Sequence, residues 1–294
     1  MPDVETLFRE LIVRHFPRFS SSHFTMMHHG WDCIAVDVDG EWIFKFPRHE
    51  SAIRALEKEA RLLEIVRPLL SVTVPDLRWY AGDPVFSGHR KIPGEHLLSE
   101  DYGKLTHPQR QRLAEEIGRF YHELHQLDPQ EMIAEGTPPI GAWPKPRAIL
   151  RDLKKTLLEP ALLTVAGKAL DRWNKLGPDP LGEVYGFFDG HGWNMAFDRE
   201  KGHLNGIYDF ADSGIGELHR EFIYTDFIDR DLTWRVVEVY ETLSGKTLDR
   251  ERIDLLSGVL ALSELAGNPD HELHGGMIRQ RAADFLGRWE GGVV

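Results

Sequence analysis

Phe187 to Asn194 reads F-F-D-G-H-G-W-N. One carboxylate, Asp189, follows two phenylalanines, glycines flank the histidine behind it, and an asparagine closes the stretch five positions on. Glycine frees the backbone for tight turns, whereas an aspartate among aromatic residues is costly to bury unless it has partners. The stretch is therefore either a hairpin turn or a loop that holds Asp189 and Asn194 for chemistry. The residues around it decide between the two.

Short strand-like segments surround it: V-Y-G-F-F before, N-M-A-F-D and L-N-G-I-Y-D-F after. Far upstream, residues 23 to 48 alternate as three further strands, with Asp39-Gly40 as a hairpin turn between the second and third. From Glu50 to Leu70 the period changes to that of a helix, with Ile53, Leu56, Ala60, Leu63 and Val66 on one face. Two more strand segments follow, and Pro93-Gly94 breaks the pattern. Beyond the break the chain is mostly helical, starting with Pro108 to Leu127 and returning to helices from Leu218 to Trp289, with a proline-rich connection over 136 to 147. The expected organisation is a strand-rich unit over 1–92 and a helical unit over 93–294.

Composition limits the function classes. The 294 residues suffice for a sizeable core, and 41% hydrophobic content is that of a soluble globular chain. A single cysteine, Cys33, excludes an internal disulfide framework and favours the cytoplasm. The N-terminal stretch lacks a continuous apolar run, which argues against a signal peptide or a membrane span and for an amphipathic helix. A formal charge of −12 argues against nucleic acid as the main partner and favours cationic ligands.

Lys45 sits within the apolar strand I-F-K-F, where an ammonium group needs a partner, and Glu59 on the following helix is the candidate. A strand lysine held by a helix glutamate is how phosphotransferases grip nucleotide phosphates. Asp189, Asn194 and Asp209 form D-x-x-x-x-N followed by I-Y-D-F, an oxygen ligand set that suits Mg²⁺ and leaves Asp189 free to accept a hydroxyl proton. A rival reading takes the histidines, such as His122 and His125 three apart, as a hydrolase metal site, but no third ligand with its own motif accompanies them.

In this order, Lys45, Glu59, D-G-H-G-W-N and Y-D-F-A-D, the chain resembles the aminoglycoside phosphotransferase family over residues 25 to 265. The resemblance implies a protein-kinase-like α+β fold with two lobes, a small antiparallel sheet and a larger helical part, with ATP or GTP and Mg²⁺ between them. It implies Asp189 as catalytic base, Asn194 and Asp209 as metal ligands, Lys45 and Glu59 as nucleotide grips, Gly30 as the remnant of the phosphate loop, and Ser87–Pro93 as the segment that reads the purine. Phe187 and Phe188 depart from the family's His-Gly, and an aromatic residue can hold the loop by packing.

The acceptor is read from charge. Between Asp209 and Glu241 nine acids face three arginines, and on a helix Glu217 and Glu221 would share a face, with Asp226 beyond them. These three are the expected substrate residues, and a cationic hydroxylated molecule such as an aminoglycoside the expected acceptor of a monomeric kinase. A kinase of another metabolite or of a macrolide, and a nucleotide-binding pseudokinase, remain the alternatives.

Overall fold

The computed structural model describes residues 4–27, 32–156, 159–271 and 274–290. Helix α1 (Val4–His15) precedes strands β1 (Phe24–Met27), β2 (Cys33–Val38) and β3 (Trp42–Pro47). Helix α2 (Glu50–Val66) follows, then β4 (Arg78–Tyr80) and β5 (Phe86–Arg90). The five strands form one antiparallel sheet in the order β1-β2-β3-β5-β4. The Asp39-Gly40 turn has both residues at positive φ, 58° and 69°, which matches the twist of the strands it joins.

Strand alternation gives the sheet two different faces. Val36, Val38, Phe44, Phe46 and Phe86 pack with Phe8 and Ile12 of α1, and the Phe8 and Phe46 rings stack at 3.9 Å. Each such large side chain contributes about 1.5–3 kcal/mol on burial. The register puts Ala35, Lys45 and Ser87 side by side, with Ile43 opposite His89, on the other face. Helix α2 buries Leu56, Leu63 and Val66 as its spacing requires, and Glu59 is buried in the same row.

The remaining chain is helical around two hairpins. Helices α3 (Ser99–Lys104), α4 (His107–Leu124), α5 (Pro129–Ala134), α6 (Pro146–Thr156) and α7 (Pro160–Asn174) lead to β6 (Glu183–Gly186). Then come β7 (Met195–Asp198), β8 (His203–Ile207) and β9 (Gly214–Glu217), paired as β6 with β9 and β7 with β8. Helices α8 (Arg230–Ser244), α9 (Arg250–Gly267) and α10 (Gly275–Glu290) complete the chain. One large core joins α2, α4, α8 and the hairpin strands, and a second unites α6, α7, α9 and α10. Leu218–Phe227 is a 3₁₀ segment, so the helical face on which Glu217 and Glu221 were to lie together does not form; Glu217 ends β9. The fold is α+β, a small antiparallel sheet with a larger, mostly helical part. Among the described residues, no helix is long and apolar enough to cross a membrane.

Candidate functional site

Strand β3, helix α2 and the end of β8 bring three charges to one point. The Lys45 ammonium donates to Glu59 at 3.2 Å and to Asp209 at 3.0 Å. Glu59 also accepts from the Phe210 amide at 3.0 Å, which ties helix α2 to the chain beside Asp209. Burial opposes charge on Lys45, but Asp209 and Glu59 outweigh it and hold the lysine protonated. Burial likewise raises the Asp209 carboxyl, and the charge and hydrogen bond of Lys45 bring it below the usual carboxylate range. Glu59 is pushed up by its own burial, against Lys45. Asp209 still has 45% of its side chain open and stands at φ 70°, in the left-handed region.

The loop from Phe187 to Asn194 lies next to this triad. The Tyr208 amide, one residue before Asp209, donates to the Asn194 carbonyl at 3.0 Å. The Asn194 side chain is buried and spends its amide nitrogen on Asp189, 2.6 Å from the carboxylate and 3.0 Å from the carbonyl. Its amide oxygen is left as an acceptor. His191 sits 3.1 Å from the other Asp189 oxygen. Burial works against a charged imidazole there, yet Asp189 prevails and His191 titrates above its ordinary value.

The loop's conformation comes from contacts that local sequence does not reveal. Phe187 is buried and packs against Phe210 and Phe120, with ring centroids 4.8 Å and 5.6 Å away. Phe188 stands at φ 53°, a region that bulky residues seldom occupy. Both of their amides donate to the Glu221 carboxylate, at 2.9 Å and 2.8 Å. Gly190 and Gly192 do not have positive φ. They are required by close approach: a Cβ would collide with the Tyr121 hydroxyl at Gly190 and with the Leu97 carbonyl at Gly192.

The expected substrate residues fare differently from Lys45, Glu59, Asp189, Asn194 and Asp209, which the fold brings together. Glu221 is fully buried and bound to the Phe187 and Phe188 amides and to His125, so it cannot line a cleft open to ligand. Glu217 accepts from the Asp179 amide and pairs with Arg252 at 3.4 Å, and the half-buried Asp226 accepts from Ser257 at 2.6 Å. These acids already have partners. Gly30 lies outside the described residues. Of Ser87–Pro93, residues up to Arg90 are strand, and only Lys91–Pro93 leave the sheet. Sequence reading passed over Asp212, whose carboxyl is pushed up to about 6 by burial and by Asp189 and Asp209. It also missed the strut role of Glu221.

Among the described residues, no three carboxylates, histidines or cysteines converge as a closed metal cage. Mg²⁺ keeps waters and substrate phosphate and takes few protein oxygens, so the fit is judged from single oxygen donors. The free oxygen of Asn194 and the open side of Asp209 are of the right chemistry.

The description "Phosphotransferase enzyme family" matches residues 31–256. Solved structures agree in fold. Aminoglycoside 2'-phosphotransferase-IIIa in its GDP complex superposes with a TM-score of 0.81 at 19% identity, over 97% of this chain and 99% of that one. The streptomycin-ATP complex of APH(2")-IIa gives 0.65 at 17% identity, over 98% and 97%. Macrolide 2'-phosphotransferase MphH from Brachybacterium faecium gives 0.65 at 16% identity, over 97% and 98%. With this match across most of its length, the chain belongs to the phosphotransferase enzyme family.

Proposed function

We propose that the chain is a small-molecule kinase that transfers the γ-phosphoryl group of ATP or GTP to a hydroxyl of a cationic acceptor of aminoglycoside type. The observation that carries this reading is that a lysine-held carboxylate, Asp209, adjoins a loop that presents Asp189 beside Asn194. Lys45 and Asp209 are the phosphate and metal grips, and Asn194 is the second metal ligand. Asp209 and Asn194 would hold Mg²⁺ there, which would supply neutralisation of the phosphate charge. Asp189 accepts the acceptor's hydroxyl proton while that oxygen bonds to the γ-phosphorus and the nucleoside diphosphate leaves.

The cationic acceptor rests on the charge around Asp189. Asp212 and Asp209 add to it, and Lys58, which donates to the Ser213 carbonyl at 3.1 Å, offsets the charge of Asp212 only in part. Relatives of the same fold are crystallised with kanamycin, streptomycin and gentamicin. A neutral acceptor is the second reading: Glu217, Glu221 and Asp226 have partners in the protein, and a macrolide phosphotransferase shares the fold. The cytoplasm and a monomeric state belong to the same proposal.

The test is to incubate the protein with Mg²⁺, ATP or GTP and pooled aminoglycosides, macrolides, choline and homoserine, and to look by mass spectrometry for a gain of one phosphate. Phosphorylation of an aminoglycoside that weakens steeply with added salt supports the cationic reading. Phosphorylation of uncharged acceptors alone replaces it, and no phosphorylated product in any pool refutes the kinase.

A further inference from the structure

On the cleft face of the sheet lies a buried histidine to which the proposed reaction gives no role. His89, in β5, is 5% exposed. It pairs with Ile43, as Ser87 pairs with Lys45, so it sits one inward-facing step, about 7 Å, along the strands from the lysine. Its Nδ1 is 2.8 Å from the Arg90 carbonyl. A carbonyl oxygen only accepts, so Nδ1 carries the proton and Nε2 presents a lone pair. Among the described residues no protein group meets Nε2. Burial pushes the His89 pKa down to about 4, so the ring is neutral at physiological pH. The neighbouring Ser87 hydroxyl, also buried on this face, has no partner among the described residues either.

The direction of a bound nucleotide follows from the same register, and this step rests on the nucleotide-binding reading above. With phosphates at Lys45 and Asp209, Glu59 and helix α2 occupy one side of the lysine. The base is left with the other side, beneath Ile43 and His89, toward Lys91–Gly94 where the chain leaves the sheet. The Lys91 amide is spent on the Glu41 carbonyl, and the Pro93 carbonyl accepts from Asn205. These two atoms already have protein partners, whereas His89 Nε2 has none among the described residues.

We infer that His89 reads the 6-position of the purine through Nε2 and makes the site prefer adenine over guanine nucleotides. Adenine presents an amino donor at that position and guanine a carbonyl acceptor. Against guanine two lone pairs meet. Relief requires either the other imidazole tautomer, which gives up the bond to Arg90, or a proton on a buried ring. An unpaired polar group of this kind costs enough to change affinity by about tenfold to a hundredfold.

Calorimetry with ATP, ITP and GTP tests this without any acceptor. Inosine has guanine's carbonyl at the 6-position but lacks its 2-amino group, so ITP separates the 6-position from the rest of the base. Wild-type protein is expected to bind ATP about ten to a hundred times more tightly than both ITP and GTP. His89→Leu, which has no acceptor, and His89→Gln, whose amide can turn either atom to the base, are expected to shrink the gap to a few-fold. Equal affinities in the wild type, a preference for ITP or GTP, or an ATP preference that survives in both variants overturns the role of His89 and leaves the kinase reading standing. Binding of none of the three nucleotides overturns both.

Discussion

The two acid-rich regions of the molecule behave in opposite ways. Around β3 and α2, carboxylates meet a lysine at the edge of an open site, and Asp209 keeps nearly half its side chain exposed. Around Leu218–Phe227, acids that read as a charged surface are internal struts: Glu221 is sealed inside, and Asp226 is tied to α9 through Ser257. The difference teaches where a charge can be read from sequence. An ammonium inside I-F-K-F cannot be left alone, so its context demands a partner. Glutamates between mixed residues satisfy any reading until their neighbours in space are known.

The sharpest way to break this contrast is at Asp189. Asp189→Asn keeps an acceptor for the Asn194 amide but gives up the charge pair with His191, so the melting temperature should fall by no more than about 2–4 °C while kcat falls by about 10²–10⁴-fold. Turnover with an accepted substrate and a thermal melt, measured together, check this. A variant with wild-type turnover removes Asp189 from the chemistry.

Glu221 should show the reverse pattern. Glu221→Ala leaves two buried amides and His125 without their acceptor, which should cost about 2–5 kcal/mol of stability. Denaturant unfolding reads that loss. Glu221→Gln should lose less, since one oxygen still accepts. If instead the acceptor KM rises while stability holds, Glu221 contacts substrate and the two regions are alike.

On the nucleotide side a smaller loss is expected. Glu59→Gln leaves Lys45 with Asp209, and a single charge-assisted bond of about 1.5 kcal/mol corresponds to roughly a tenfold weaker nucleotide Kd. Unchanged affinity would make Glu59 a packing residue only.

The fold was legible wherever periodicity is enforced by a two-sided environment. Strands β1 to β3, helix α2 with Leu56 and Leu63 inward, and the Asp39-Gly40 turn follow from alternation, helical spacing and turn chemistry. Leu218–Phe227 was not, because Leu218, Phe222, Ile223, Tyr224 and Thr225 are all buried, and a segment buried on several sides shows no period. Lys45 with Glu59 was legible for the energetic reason above. The grip of Glu221 on Phe187 and Phe188, more than thirty residues away, leaves no local mark. Nor does the need for Gly190: it answers to Tyr121 on α4, whereas the sequence suggests a tight turn.

Asp212 gives the smallest effect and the finest test of where the open charge lies. Its carboxyl titrates near 6 in the folded chain, against about 3.9 for a free aspartate. Between those values the folded state keeps a proton that the unfolded state has lost, so the contribution to stability is full at low pH, fades as pH rises, and becomes a standing penalty above 6. Asp212→Asn should therefore raise the melting temperature by about 2–4 °C at neutral pH and above, with the gain gone by about pH 4. Because Asp212 is exposed, water and salt screen the penalty, and the gain should shrink in high salt. A cationic acceptor reverses the balance, since the carboxylate charges that repel one another then meet an ammonium group. Kanamycin should stabilise the wild type more than Asp212→Asn if the acceptor is cationic, and equally if it is neutral. Thermal melts at two pH values, with and without kanamycin, separate the cost of the open carboxylates from their use.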